Sequence, residues 1–219
     1  MKSETTPGNR LPLPAAVPGA HLLYRANSPA LCEHDIAILA QAVQDYVYDV
    51  GLDATQIELL TEEDQARLFS PEAVAARERL VQALGWAHLQ PNQRGIIFCE
   101  WAPPHVDDYY VGKAFVSLVL HTGPEPYVIQ TFHTAQRAPE DRTPGPVTLT
   151  QTTRLLNVGD LFVLDPCTPH MAAPVRSNNE ALLVLLQATW LDEDLTQRNA
   201  LLARFEPHAD NQEADVAFM

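Results

Sequence analysis

The sequence predicts an α+β fold, a helical front followed by a β-sandwich or barrel. Two observations carry this. After a proline-rich start and up to about residue 90, apolar side chains recur at three- and four-residue steps, the helical period. From about Gly95 the segments become short, rich in Val, Ile, Leu, Phe and Thr, and divided by turn residues. With no helical pattern between these segments, alternating βαβ units are excluded. Six or more short strands in some 95 residues suit a sandwich or barrel.

The elements follow in order. Residues 1–20 carry Pro7, Pro12, Pro14 and Pro18 without a period and read as an extended arm. Ser28-Pro29 can serve as N-cap and N1 of a helix. That helix continues on Ile36, Leu39, Val43, Val47 and Val50, with Gly51 as its C′ stop. A short helix is expected from Thr61-Glu62-Glu63. Another opens at Ser70-Pro71-Glu72, runs through Val74, Leu80, Val81 and Leu84, and stops near Gly85. Strands are expected over residues 95–101, 114–121, 127–133, 147–156, 160–164 and 181–189. Residues 135–146 hold Pro139, Pro144 and Pro146 with Arg137 and Arg142, and read as a long loop. A closing helix over 191–205 uses Leu195, Leu201, Leu202 and Phe205, and 206–219 form an acidic tail. The expectation is thus one domain over 21–205, with a front (21–94), a barrel (95–190) and the closing helix.

Composition narrows the function. A net charge of −14 argues against a binder of duplex nucleic acid, which needs clustered Lys and Arg. No apolar run reaches the ~18–20 residues of a membrane span, and the prolines interrupt any leader-like segment near the start. Cys32, Cys99 and Cys167 are odd in number and far apart, which favours a reducing, cytoplasmic location.

Two segments carry chemistry. One is Trp101-Ala-Pro-Pro-His105-Val106-Asp107-Asp108-Tyr109-Tyr110; the other runs from Gly159-Asp160 to Asp165-Pro166-Cys167-Thr168-Pro169-His170. In extended chain, residues two apart point the same way, so His105 and Asp107 project together. A second histidine from a distant strand would complete a face of two imidazoles and one carboxylate, and His170 is the candidate. Such a face suits divalent iron and leaves positions open for other ligands. His121 and His133, at the ends of expected strands, are the rival ligands. Gly159-Asp160 reads as a tight turn that sets the register of the strand leading towards His170.

With these motifs, His-x-Asp followed by a strand and then Gly-Asp-strand-Pro-x-x-x-His, the region 95–189 resembles the Fe(II)- and 2-oxoglutarate-dependent oxygenases, in their prolyl-hydroxylase-like form. The resemblance implies a double-stranded β-helix, a jelly-roll or cupin-like barrel, with the N-terminal helices packed on one sheet. It implies Fe(II) held by His105, Asp107 and His170, and 2-oxoglutarate beside it. It further implies a tyrosine, Tyr109 or Tyr110, near the cosubstrate. The family places a basic residue about ten positions after the distal histidine, to pair with a carboxylate. Here that position is Glu180. Arg176, Arg154 and Lys113 are the other candidates for the cation.

Two further readings stay open: a cupin-type metalloenzyme that does not use 2-oxoglutarate, and a non-catalytic binding domain on the same barrel. A small-molecule or peptide substrate fits either enzyme. The sequence fixes neither the substrate nor the oligomeric state.

Overall fold

The computed structural model of the chain describes residues 22–25, 32–50, 58–107, 113–134, 149–164, 166–176, 181–191 and 206–207. Three helices lie among them: α1 (Glu33–Val50), α2 (Glu62–Leu68) and α3 (Pro71–Ala83). Local chemistry sets two of the starts. The Thr61 hydroxyl accepts from Asp64 N (3.2 Å) while the Asp64 carboxylate accepts from Thr61 N (3.1 Å), a reciprocal cap for α2. Ser70 Oγ accepts from Ala73 N (3.2 Å) and Pro71 occupies the first turn of α3. No described helix is long and apolar enough to cross a membrane.

The described strands are β1 (Leu22–Arg25), β2 (Glu58–Thr61), β3 (Arg94–Cys99), β4 (Ala102–His105), β5 (Lys113–His121), β6 (Tyr127–Thr134), β7 (Leu149–Leu156), β8 (Leu161–Leu164), β9 (His170–Pro174), β10 (Leu183–Leu191) and β11 (Glu206–Pro207). They make two antiparallel sheets. One has the order β11-β1-β8-β5-β10-β3-β2, the other β4-β9-β6-β7. Between β3 and β10 the chain changes sheet at each connection except β6 to β7.

Alternation along the strands divides the apolar residues into two cores. Ile96 and Phe98 of β3, Val116, Leu118 and Leu120 of β5, and Val184, Leu186 and Ala188 of β10 point to the helical side. There they meet Leu39, Val43, Leu80, Leu84 and Trp86. The helices therefore cover one face of the larger sheet. Cys99, Phe115, Val119, Phe162, Leu164, Leu183 and Leu185 point the other way, onto Ala102, Tyr127, Ile129, Leu156 and Ala172. Each fully buried large side chain contributes about 1.5–3 kcal/mol. Asp35, buried on α1, accepts from Arg79 of α3 at 3.1 and 3.0 Å from Nε and 2.6 Å from Nη2, which fixes the helix pair.

Several elements differ from expectation. The strand expected over 95–101 ends at Cys99, and a separate strand, β4, carries Ala102 to His105. β1, β2, β9 and β11 were not expected. Short strands with two to five residues give too few alternations to register as a period. The residue expected to open the closing helix, Leu191, is the last residue of β10, and 192–205 lie outside the described residues. In the expected tail, Glu206 and Pro207 pair with Arg25 and Tyr24. The arm 1–20, the Ser28-Pro29 cap and the loop 135–146 also lie outside the described residues.

The Gly159 turn is as expected. Asn157 N donates to Asp160 Oδ2 (2.9 Å) and Asp160 N to Asn157 O (3.0 Å). Gly159 N donates to Val119 O (2.8 Å) and Val119 N to Asp160 O (2.9 Å), which ties the turn to β5. Gly159 has φ 88°, in the left-handed region where a Cβ is costly. Gly159→Ala is expected to lower stability by about 1–2 kcal/mol, measured by urea unfolding. An unchanged midpoint would show that the turn tolerates a side chain.

Candidate metal centre

The site begins with a local irregularity. β4 pairs Ala102 with Ala172 and His105 with His170, so three steps on β4 match two on β9. The extra residue falls at Pro103-Pro104, which have no N–H to offer a ladder. A regular strand would send positions 102 and 105 to opposite faces. The bulge brings both to the inner face. β4 is the edge of its sheet, where proline is tolerated.

Two backbone contacts bring the other ligand candidates in. Asp107 N donates to Pro166 O (2.8 Å), joining the first motif to the second. Phe132 N donates to Pro169 O (2.9 Å), which anchors the entry to His170 on β6.

The side chains then converge. His105 Nδ1 lies 2.6 Å from Pro103 O, and His170 Nδ1 lies 2.8 Å from Thr168 O. A carbonyl only accepts, so each Nδ1 donates and each Nε2 is the ring nitrogen left to meet a ligand. Both Nε2 atoms face Asp107: His105 at 3.9 Å from Oδ1 and His170 at 3.6 Å from Oδ2. These are too long for hydrogen bonds and comparable to the roughly 3–4 Å between donors that share one ion with bonds near 2.1 Å. The imidazole centroids are 4.3 Å apart, and one donor atom from each of the three residues fits within 4.8 Å of the others. The donor set fits a divalent ion on its chemistry: two oriented neutral nitrogens and one anionic oxygen. His170 is buried at 7% side-chain exposure, while His105 and Asp107 keep 25% and 31%. One side of the cluster is therefore protein and the other is open.

The three residues line a cavity of about 390 Å³ between the sheets. Its walls are largely apolar and include Phe115, Phe162, Leu164 and Ile129. Lys113 also lines it. The other sequence candidates fall elsewhere. Arg176 is exposed beyond the end of β9. Arg154, 3% exposed, shares the inner face with its register partner Ile129, and its Nη1 donates to Thr153 O (3.2 Å). It is not part of the cavity lining. Tyr109, Tyr110 and Glu180 lie outside the described residues. β10 begins at Leu183, after Glu180, and its sequence LVLLQATWL holds no Lys or Arg. Of the rival ligands, His121 sits at the far end of β5 from Lys113, and burial pushes its pKa down. His133 belongs to β6, and its side chain lies outside those described.

Two features were not read from sequence. The Thr131 hydroxyl is buried and has no hydrogen-bond partner among the described residues; its residue is the register partner of His170. Gln187 Nε2 donates to Ser117 Oγ (3.1 Å), a polar pair across β10 and β5 of which Gln187 lines the cavity. Threonine is common in strands for its shape alone, so nothing in the sequence marks Thr131.

No protein-family model matches the chain, and neither does any curated protein. Solved structures do align with it. AviO1 from Streptomyces viridochromogenes Tue57 is 18% identical, over 80% of this chain and 90% of its own, with a TM-score of 0.48. The epimerase SnoN in complex with Fe3+, alpha ketoglutarate and nogalamycin RO is 12% identical, over 80% and 79%, with a TM-score of 0.47. EvdO2 from Micromonospora carbonacea var. aurantiaca, complexed with 2-oxoglutarate, is 14% identical, over 78% and 86%, at 0.39. At these identities and scores they carry no residue role over to this chain.

Cys99 lines the same cavity, and burial pushes its thiol from 9.0 up to about 12. A pKa raised in the folded state means the folded chain keeps this thiol neutral where the unfolded chain ionises it. The associated stability is full below about pH 9 and is lost as pH rises towards 12. At pH 8, a thiol reagent is expected to label exposed Cys32 rapidly and Cys99 only as the chain unfolds. Equal labelling rates in the folded chain would contradict this burial.

Proposed function

We propose that this protein is an Fe(II)- and 2-oxoglutarate-dependent oxygenase that hydroxylates a second, small-molecule or peptide substrate. Its two facing sheets would be those of a double-stranded β-helix. The observation that most supports the reading is the donor set, two imidazole Nε2 atoms and one carboxylate at the wall of a cavity. His105, Asp107 and His170 would hold the ion. Bound there, Fe(II) would supply the redox chemistry that couples 2-oxoglutarate and O₂ to oxidation of a C–H bond.

The chain's own residues do the remaining work. The Pro103 and Thr168 carbonyls hold both rings in one tautomer and one orientation, an arrangement whose loss typically costs 10–100-fold in metal affinity. The aromatic and aliphatic walls limit water at the open side of the cluster. Thr131 offers a hydroxyl on the face it shares with His170, available to a polar ligand atom.

One observation favours a second reading, a cupin-type metalloenzyme without 2-oxoglutarate: β10 carries no basic residue. Anaerobic titration separates the two. With Fe(II) and then 2-oxoglutarate, the oxygenase is expected to develop a visible charge-transfer band and, in air, to turn 2-oxoglutarate over to succinate. His105→Ala and His170→Ala are each expected to lose metal affinity by more than ~100-fold, beyond the loss of an orienting contact. Metal binding without 2-oxoglutarate binding would select the cupin-type reading. No stabilisation by Fe(II), Mn(II) or Ni(II) would sink both, because saturation to 100 times Kd must add about 2.7 kcal/mol to a folded-state site.

Thr131→Val offers an independent check. Removing a buried hydroxyl that lacks a partner is expected to leave stability unchanged or raise it by about 1 kcal/mol. If the hydroxyl meets a ligand, the same variant weakens 2-oxoglutarate binding several-fold in isothermal titration. A large loss of stability would mean that the hydroxyl is already satisfied.

A further inference from the structure

The inner face of the larger sheet turns from apolar to polar along β10. Leu183, Leu185 and Gln187 are successive inward residues of that strand, and all three line the cavity. Gln187 has Ser117 of β5 as one ladder partner and Gly95 of β3 as the other. Its amide is engaged on the Ser117 side, where Nε2 donates to the Oγ of that fully buried serine (3.1 Å). This bond fixes the amide and leaves Oε1 as the end turned to the cavity, without a donor among the described residues. The second glutamine of the lining, Gln93, is already engaged, its Oε1 accepting from Gln90 N (2.8 Å). A carbonyl oxygen accepts and never donates, so a ligand O–H or N–H satisfies Gln187 Oε1, whereas a carboxylate would meet a second acceptor.

The wall beside that oxygen is apolar. Gly95 brings no side chain into it, and Leu59 leans over the glycine instead: a Cβ there would come within 2.7 Å of Leu59 Cδ1. Ile97 and Leu185 lie one alternation along from Gly95 and Gln187 and pair with each other, and Leu59 pairs with Ile97. Gln187, Gly95, Leu59, Ile97 and Leu185 are thus neighbours on one patch of the cavity wall.

The patch stands opposite the metal cluster. The Tyr127 hydroxyl reaches from the smaller sheet to the backbone of Glu100 and Leu183, which ties the two sheets at one height. β5 runs towards this tie and β10 is antiparallel to β5, so β6 and β10 both lead away from it. Two alternations along β6 from Tyr127 comes Thr131, the ladder partner of His170; two alternations along β10 from Leu183 comes Gln187. A molecule on the patch therefore faces the proposed ligands across the cavity.

We propose that Gln187 sets the specificity of the cavity, and that the substrate is a compact neutral molecule whose hydroxyl donates to Gln187 Oε1 while its apolar body rests on Leu59, Ile97 and Leu185. That the bound molecule is a substrate rests on the oxygenase reading; that the cavity binds it does not.

The test is an NMR titration of the full chain, metal-free and Zn(II)-loaded, with cyclohexylmethanol and with methoxycyclohexane, an isomer that lacks the O–H. The alcohol is expected to bind about five-fold more tightly than the ether, with or without metal, as one added hydrogen bond allows. In the metal-free chain it is also expected to bind more tightly than cyclohexanecarboxylate. Gln187→Met should remove the preference for the alcohol. Gln187→Glu should keep it, because a carboxylate oxygen accepts as the amide oxygen does and Ser117 can turn its hydroxyl to donate. Leu59→Ser should weaken both isomers without changing their ratio. Circular dichroism and thermal melting verify folding of each variant, and the isomer pair on the native chain decides the matter if Gln187→Met does not fold. Equal binding of alcohol and ether by the native chain overturns the proposal. So does tighter binding of the carboxylate by the metal-free chain, or loss of the alcohol preference in folded Gln187→Glu, either of which turns Nε2 rather than Oε1 to the ligand. Because the metal-free arm needs no iron, loss of the oxygenase reading and loss of the alcohol preference are separate results.

Discussion

The direct pairing of His105 with His170 across β4 and β9 is the constraint on which the site depends. These residues lie far apart in sequence and come from separate motifs, yet the ladder sets them side by side. The pairing works only because β4 carries one residue more than β9 between its two paired positions. Pro103 and Pro104 make that irregularity natural, since neither can donate to a partner strand. The same dipeptide supplies the Pro103 carbonyl that orients the His105 ring. His170 has the same arrangement, its Nδ1 on the carbonyl two residues back. Register, bulge and tautomer are thus consequences of a short stretch of backbone chemistry.

The rest of the fold frees the inner face for this use. The helices satisfy the outer face of the larger sheet, where β3, β5 and β10 present closely packed aliphatic and aromatic residues. With that face covered, the fold does not need its inter-sheet space to be solid. Part of it is packed by Tyr127, Leu156, Leu183 and Val119, and part is left as the cavity. The Gly159 turn holds β7, β8 and β5 in fixed register at one end of this space. Asp107 and Pro166 are tied together at the cluster. A cavity between two sheets is stable when its boundaries are fixed this way, because the strands cannot slide to fill it without breaking ladders.

Much of this was legible in sequence, and the exceptions have physical causes. The helices announced themselves through period and caps: Thr61 and Ser70 both cap as their side chains allow. The long strands β5, β6, β7 and β10 showed as short segments rich in Val, Ile, Leu, Phe and Thr, divided by turn residues. His105, Asp107 and His170 were legible because spacing and residue type agreed. β4 was missed because two prolines in four residues argue against a strand unless it lies at an edge, and edge position is a property of the whole sheet. The basic residue was ambiguous for a related reason. Distance along the chain pointed to Glu180, an acid, which left Arg176, Arg154 and Lys113 as candidates; the strand ends at Pro174, and Arg176 is exposed. Which of Arg154 and Lys113 reaches the cavity depends on lateral position in the sheets, which no local pattern encodes.

The charge of the chain takes on a different meaning in this arrangement. A net −14 describes a surface that repels anions at long range, and the repulsion weakens within roughly 10 Å in physiological salt. Inside the cavity the balance is reversed. The three proposed ligands contribute one negative charge, from Asp107, so a divalent ion held there leaves a local excess of one positive charge. Lys113 adds another on the same cavity wall. Apolar walls strengthen both relative to water. With such an ion bound, an anion that reaches the mouth would meet attraction where the surface gives repulsion. The single carboxylate in the donor set matters for this reason: a second would cancel the ion's charge.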